Sequence, residues 1–302
     1  MPYVLFLIVC TVWGASFILM KKAGLALGPV SIGAWRVASG AAVLAILWWF
    51  CTNRPKVSWR QLPHVVVVGL VGCTWPYSIQ PYLVVKYGSG FIGMFVAFVP
   101  VLTILVSVPM LGVYPTRRQL IGVIGGLVCL VIIMADGSAR SVPPVGLLMA
   151  FTVPLGYAIG NTYIKLKLPG VDPLPLTIVA LTISSAILLP LSTADGLLEP
   201  LDLASPTGPL VQDNWTLAIT SLLVLGVLGT GMAMFIFNRL ILDHGPLFAG
   251  MVTYLVPLGA VFWGRLDDEV ITPLQLAALA GVLAMVALVQ YGAAKTPDQP
   301  AP

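Results

Sequence analysis

The sequence predicts an all-α integral membrane protein with ten transmembrane helices, arranged as two inverted-topology repeats of five helices each. Three observations lead to this fold: the composition, the length of the apolar segments and an internal repeat. Of the 302 residues, 59% are hydrophobic and only 9% are charged, whereas an average soluble domain is about 25% charged. This composition excludes a disordered chain, a nucleic-acid-binding domain and most soluble enzymes.

Ten apolar segments are about as long as the helix that crosses the hydrocarbon core of a bilayer, which takes roughly 20 residues. Arg36 is the only charged residue inside any of them. The predicted spans are residues 3–20, 31–51, 62–84, 89–112, 119–135, 144–164, 173–193, 214–238, 246–264 and 272–292. Because short connections join the spans, we expect no separate soluble domain.

Basic residues in the connections predict which end of the bundle faces the cytoplasm. With the N-terminus inside, nine Lys and Arg residues lie in the inner connections and five in the outer ones. An excess of positive charge on the cytoplasmic side is the usual pattern in membrane proteins. We therefore expect a multi-pass protein of the cell (inner) membrane, with the N-terminus and the tail 293–302 in the cytoplasm.

The chain is similar to itself at a fixed spacing. An offset of 156 residues, for example, pairs Gln119 with Gln275. This self-similarity divides the chain into a first repeat, 1–140, and a second repeat, 143–292, with five spans each. Because five is an odd number, the second repeat must enter the membrane in the opposite sense, as in many secondary transporters.

Short motifs in both halves are similar to those of a known family. The run Thr11–Phe17 (TVWGASF), followed by Lys21, and the run Trp35–Gly40 (WRVASG) resemble the signatures of its first and second helices. Pro100 and Pro257 fit the proline of its fourth and ninth helices. The family is the EamA family of the drug/metabolite transporter superfamily. The resemblance covers nearly the whole chain and implies a ten-helix transporter of small metabolites, with its cavity between the halves.

Two positions depart from the family pattern. The first repeat has Val113 and Tyr114 where the family often has a Glu and a basic or polar residue, so that only Glu269 of the second repeat keeps the acid. The second repeat has Ala180 opposite Arg36. A role that the family gives to either position can therefore be carried by one half only.

Arg36 lies about five residues inside the second span, roughly 8 Å from its outer end at a rise of 1.5 Å per residue. A charge at the bilayer centre costs about 2.5–3.5 kcal/mol on insertion scales. Arg36 therefore either faces a cavity, where it holds helices together or binds an anionic substrate group, or snorkels to the outer interface. Lys21 and Lys22, at the end of the first span, are expected to be interfacial anchors.

Aromatic and amide side chains inside the spans are candidates for substrate binding. A buried amide needs a polar partner, so it should face protein or water, and bonding between helices is its alternative role. Together with Arg36, the predicted substrate-binding residues are Trp13, Tyr77, Gln80, Tyr157, Asn161, Asn238 and Tyr254. Pro100 and Pro257 are predicted to form paired helix bends along the pathway, with a simple packing kink as the alternative.

These features predict a secondary transporter, not an enzyme, that moves a small metabolite or an amphipathic drug-like molecule by alternating access through a central cavity between the repeats. No motif indicates a cofactor or a metal, and the expected partners are the small-molecule substrate and the lipid bilayer. An intramembrane enzyme is one alternative, although the spans contain no Asp or Glu and His64 lies at the edge of its span. A channel-like facilitator is the other. The same lack of titratable groups favours facilitated diffusion or exchange over proton coupling.

Overall fold

Helices form every regular element in the part of the chain that the computed structural model describes. The described residues are 2–112, 116–139, 142–194, 212–237, 239–240 and 252–293. The all-α prediction is confirmed for these residues.

The α-helices follow one another with short connections. In chain order they are α1 (Pro2–Ala23), α2 (Pro29–Phe50), α3 (Leu62–Val68), α4 (Trp75–Tyr87), α5 (Ser89–Met94), α6 (Val99–Leu111), α7 (Arg117–Ala139), α8 (Pro144–Lys167), α9 (Pro173–Leu191), α10 (Gln212–Val224), α11 (Val252–Leu266) and α12 (Pro273–Ala293). Three irregular helical segments join some of them: a first π-helix (Gly69–Thr74), a 3-10 helix (Phe95–Phe98) and a second π-helix (Leu225–Met232).

Eight helical segments among the described residues are long and apolar enough to cross a membrane. They overlap the first eight predicted spans, and the third ends at Tyr87, three residues later than predicted. Two shorter apolar segments, Leu255–Leu266 and Pro273–Met285, lie where the ninth and tenth spans are predicted. The membrane-protein prediction is confirmed, and the count of ten spans stays a prediction.

Prolines and polar side chains define where many of the helices begin. α2, α8, α9 and α12 each start with a proline, whose missing N–H group is not needed in the first turn. At the start of α7, Thr116 and Gln119 form a capping box with bonds of 2.8 and 3.3 Å. Thr272 and Gln275 form the same box at the start of α12, with bonds of 3.3 and 3.1 Å. Each predicted repeat therefore begins its last helix in the same way.

Two threonines stabilise the π-helices at matching places. The Thr74 hydroxyl donates to the Gly69 carbonyl at 3.0 Å. At a spacing of 156 residues, the Thr230 hydroxyl donates to the Leu225 carbonyl at 3.2 Å. Segments of π-helix are rare and frequently occur at functional sites. Here they lie inside the third and the eighth spans.

The helices pack mainly across the boundary between the two predicted repeats. α1 packs against α11, α2 against α9 and the second π-helix, and α7 against α12. α6 packs against α8, and α9 packs against the first π-helix. Both hydrophobic core clusters contain residues of both halves. The halves therefore share their cores within the described part of the chain.

Close contact between helices depends on individual glycines. At Gly33 in α2, an added Cβ would lie 2.2 Å from the carbonyl oxygen of Tyr77 in α4. Gly72 provides a contrast, because the nearest atom to its added Cβ is the Cα of Gly160, at 3.6 Å. The first distance is a clash with backbone, whereas the second is an ordinary van der Waals contact.

We expect Gly33→Ala to destabilise the bundle, because the methyl group must push α2 away from the backbone of α4. Overpacking of a well-packed core costs about 1–3 kcal/mol. Gly72→Ala should leave the stability unchanged or raise it, since Ala is the better helix former. Thermal unfolding of both variants in detergent micelles measures the difference, and equal midpoints would contradict the packing.

Candidate functional site

A cavity of about 150 Å³ lies between the two halves. It is lined by residues of α1–α4, α6, α8, α9 and α11, of the first π-helix and the 3-10 helix, and of the helical turn that follows the second π-helix. Six of the eight predicted substrate-binding residues line it: Trp13, Arg36, Tyr77, Gln80, Tyr157 and Asn161. Asn238 and the side chain of Tyr254 lie outside the described residues. Thr253 and Val256, on either side of Tyr254 in α11, line the cavity.

Arg36 is enclosed by protein and is only 4% exposed. Its Nε donates to Oγ1 of Thr230 at 2.7 Å, and its Nη1 lies 3.4 Å from Oε1 of Gln80 and 3.5 Å from Sδ of Met20. Its Cζ lies 4.4 Å from the centre of the Tyr77 ring, which is a cation–π distance. The guanidinium therefore faces the cavity wall and does not snorkel to the membrane surface.

Thr230 connects Arg36 to the second π-helix. Its hydroxyl donates to the Leu225 carbonyl and accepts from the guanidinium, so its single proton and a lone pair are both used. Thr230 is not among the site residues predicted from the sequence, because a threonine in an apolar span gives no signal of its own. Its match with Thr74, 156 residues earlier, is the signal that could have identified it.

Gln80 and Tyr157 extend the polar side of the cavity. Gln80 is buried, and its Oε1 accepts from the Tyr157 hydroxyl at 3.4 Å as well as from Arg36. Both distances are at the long end of the hydrogen-bond range. The Tyr77 and Tyr157 rings meet edge to face, with 6.4 Å between their centres. Asn161, one turn further along α8, lines the cavity and is exposed.

Another part of the wall is aromatic and apolar. The rings of Trp13 and Phe237 are 4.9 Å apart. The Trp13 indole donates to the carbonyl of Gly229, in the second π-helix, at 3.0 Å. This bond gives the indole N–H its hydrogen-bond partner, so the rest of the ring contributes an apolar surface to the cavity wall.

The cavity approaches one end of the bundle, and buried side chains lie toward the other. We call the end where α1 begins the N-terminal end, and the opposite end, marked by Lys21, the Lys21 end. The lining reaches Leu176, in the first turn of α9 close to the N-terminal end. Toward the Lys21 end, a layer of fully buried side chains follows one helical turn beyond the guanidinium. It comprises Ile32, Leu83 and Phe91, each 0% exposed.

Ion pairs lie beyond this layer, at the Lys21 end. The Nζ of Lys21 is 2.6 Å from Oδ2 of Asp267 and 2.8 Å from Oε1 of Glu269. Lys22 pairs with the other carboxylate oxygen of Asp267. We call these four residues the Lys21 cluster. Since the two lysines end α1 and the two acids precede α12, the cluster connects the first half to the second, in place of the interfacial anchoring expected for the lysines.

Glu269 also caps the N-terminus of α5. Its carboxylate accepts from the backbone N–H of Ser89 at 2.7 Å, from that of Gly90 at 2.8 Å and from the Ser89 hydroxyl at 2.8 Å. Gly88 makes room for it, because its φ is 102° and an added Cβ would lie 2.8 Å from Oε2. Burial by itself would raise the pKa of Glu269. The hydrogen bonds from Lys21 and from α5 outweigh burial and lower the pKa below its ordinary value.

The two prolines predicted as paired bends occupy different helical environments. Pro100 is the second residue of α6, just after the 3-10 helix, so the span changes its helical form there. Pro257 lies inside α11. The lining includes Val99 and Val256, the residues before each proline, but neither proline itself. The role of paired bends along a pathway stays a prediction.

Comparisons with known proteins agree with this architecture. A solved crystal structure of a protein superposes with a TM-score of 0.65 over 98% of this chain and 99% of its own, at 16% identity, a likeness of fold alone. The "Uncharacterized transporter YvbV" of Bacillus subtilis (strain 168) is 26% identical over 278 residues, which are 91% of this chain and 85% of that protein. An "Uncharacterized transporter" of Archaeoglobus fulgidus is 25% identical over 180 residues, 60% of this chain and 63% of that protein.

The family comparison is the most specific. The model of the EamA-like transporter family matches this chain twice, over residues 1–135 and 144–291. These two matches cover nearly all of the chain and confirm the resemblance seen in the sequence motifs. The chain therefore belongs to the EamA-like transporter family.

Proposed function

We propose that this membrane transporter is a secondary carrier, which moves a small molecule by alternating access through the central cavity. The observation that carries the proposal is the asymmetry of that cavity. Its lining approaches the N-terminal end, while a buried layer and the Lys21 cluster lie between it and the other end. A carrier needs such a state, with one end closed while the other gives access to the site.

The exchange between open and closed ends follows from symmetry if the two halves are inverted repeats. The family model matches each half separately. The capping boxes and the π-helix threonines recur at a spacing of 156 residues. The helix contacts recur with the halves interchanged, since α1 packs against α11 as α8 packs against α6. Two halves that swap their conformations convert one state into the other.

The Lys21 cluster has the properties of a gate. The Lys21, Asp267 and Glu269 side chains are 28%, 19% and 9% exposed. Exposed ion pairs contribute about 1 kcal/mol or less, and burial of a pair adds a desolvation penalty that offsets its attraction. A cluster at this intermediate depth can hold the Lys21 end closed and still separate in each transport cycle.

A channel-like facilitator and an intramembrane enzyme are the rival functions. A channel needs a pathway that is open at both ends at once, and the buried layer at the Lys21 end argues against one. An enzyme needs groups that transfer protons or attack the substrate. The described part of the cavity lining contains no carboxylate or imidazole that would act as a base. We therefore favour a carrier, with facilitated diffusion or substrate exchange as its mode.

Side-specific labelling of a cysteine in the cavity tests the closed end. Asn161→Cys, with the four native cysteines replaced, places a thiol in the cavity wall. The loop charges put the N-terminal end in the cytoplasm, so a membrane-impermeant maleimide should label this thiol in inside-out vesicles much faster than in right-side-out vesicles. Equal rates from both sides would contradict the closed end and favour a channel.

The gate variant for the same assay is Glu269→Gln. The amide removes the charge that pairs with Lys21, so labelling in right-side-out vesicles should rise severalfold. Asp268→Asn is the matched control, because Asp268 is exposed and outside the Lys21 cluster, and its φ of 58° suits asparagine equally. Labelling of Glu269→Gln no faster than that of Asp268→Asn would show that the cluster is not a gate.

The closed end should be insensitive to pH in the physiological range. The pKa of Glu269 is lowered from its ordinary value of 4.5, so its contribution to closure is complete above that value and is lost as the pH falls through the lowered pKa. The ratio of the labelling rate in right-side-out vesicles to that in inside-out vesicles should stay constant between about pH 5.5 and 8. Because the same thiol reacts in both kinds of vesicle, its own ionisation does not change this ratio. A ratio that rises toward acid would contradict this and indicate proton-driven opening.

A further inference from the structure

The positive charge of Arg36 has no anionic partner among the described residues. Asp267 and Glu269 pair with Lys21 and Lys22, and Arg36 forms no ion pair with a described carboxylate. The polar contacts of the guanidinium are a hydroxyl, an amide oxygen and a thioether, which are all neutral. A guanidinium stays protonated at physiological pH, and a buried charge without a counterion is costly. A ligand with one negative charge would therefore neutralise the buried charge of Arg36.

The guanidinium leaves one direction of approach for that charge. The ring of Tyr77 covers one face of it. Nε and Nη1 point to Thr230 and Gln80, and no described residue accepts a hydrogen bond from Nη2. A carboxylate oxygen can accept a charge-assisted hydrogen bond from Nη2 in the plane of the guanidinium. An in-plane approach at Nη2 suits such a group.

The rest of the cavity wall indicates the chemistry of the uncharged part of the ligand. Trp13, Phe237 and Tyr157 present rings to the cavity, and seven of the other lining residues are Val, Ile, Leu or Ala. An apolar cavity of about 150 Å³ is large enough to hold benzene, and this cavity has about that volume. An inorganic anion would leave the apolar walls unfilled, and a cation would be repelled by Arg36.

We propose that the ligand of this cavity is a small organic carboxylate with an apolar body about the size of one aromatic ring, and that its carboxylate binds Arg36. That this ligand is also the transported substrate rests on the proposed carrier function. The binding site itself does not depend on that function.

A series of ligands that differ in charge or in the phenyl group tests the proposal. Phenylacetate, phenylacetamide and phenethylamine share a phenyl group on a methylene carbon. Acetate carries the same negative charge as phenylacetate but has no phenyl group. We expect calorimetric titration of the purified full-length protein in detergent to show phenylacetate binding about tenfold more tightly than phenylacetamide, because charged hydrogen bonds are the stronger ones. Phenethylamine and acetate should bind more weakly still.

A variant pair assigns the selectivity to Arg36. Arg36→Gln should lower the affinity for phenylacetate to that for phenylacetamide. Arg118→Gln, an exposed arginine in the first turn of α7, is the matched control and should leave both affinities unchanged. The charge series on the unaltered protein keeps the proposal testable if Arg36→Gln fails to fold.

The outcomes separate this inference from the carrier proposal. Exchange of labelled phenylacetate across proteoliposomes is measured beside binding. Binding through Arg36 without exchange would support the ligand class and contradict the carrier. Binding and exchange of the amide or the amine as strongly as the acid would support the carrier and overturn the ligand class. Binding of none of the four compounds would also overturn the ligand class.

Discussion

A guanidinium inside a membrane must be solvated by protein or by water, because hydrocarbon offers it no partner. Arg36 meets this constraint with Thr230, Gln80 and the ring of Tyr77. Thr230 can reach it because α2 and the second π-helix lie very close together, where an added Cβ at Gly226 would lie 1.8 Å from a side chain of α2. Arg36 thus joins the second π-helix to α2 beside this glycine contact and forms the polar side of the cavity.

Two interactions of different strength lie between the cavity and the Lys21 end. Hydrophobic packing around Phe91 is fully buried and continuous with the main core, so under the proposed carrier function it provides most of the closure. The Lys21 cluster is partly hydrated, and its net contribution is small because desolvation offsets attraction. A carrier needs states that differ by only a few kcal/mol, so that each remains populated. A buried hydrophobic layer, with the weak ion pairs of the Lys21 cluster beyond it, is consistent with such a small difference.

The cost of polar groups in lipid made much of this site predictable from the sequence. Arg36 and Gln80 had to face protein or water wherever the helices lay, and the structure brings both to one cavity with Trp13 and Tyr157. The apolar length of the segments predicted the spans for the same reason. The cavity lining itself, and the roles of these residues in binding, depend on how the helices pack.

Pairings between distant residues could not be predicted. Lys21 and Glu269 are 248 residues apart, and each alone is typical of a charge at a membrane interface. Thr230 resembles any threonine in a span until α2 is placed beside it. The side on which the cavity is closed is a property of one conformation, and a sequence that supports two conformations does not specify which is seen.

The reciprocal movement of the two ends, on which alternating access depends, can be measured without knowledge of the substrate. Electron-electron double resonance between spin labels at Leu25 and Ala194 reports the Lys21 end, and labels at Arg60 and Lys167 report the N-terminal end. Introduction of Glu269→Gln should lengthen the first distance and shorten the second in the same fraction of molecules. A longer distance at the Lys21 end with no change at the N-terminal end would contradict alternating access.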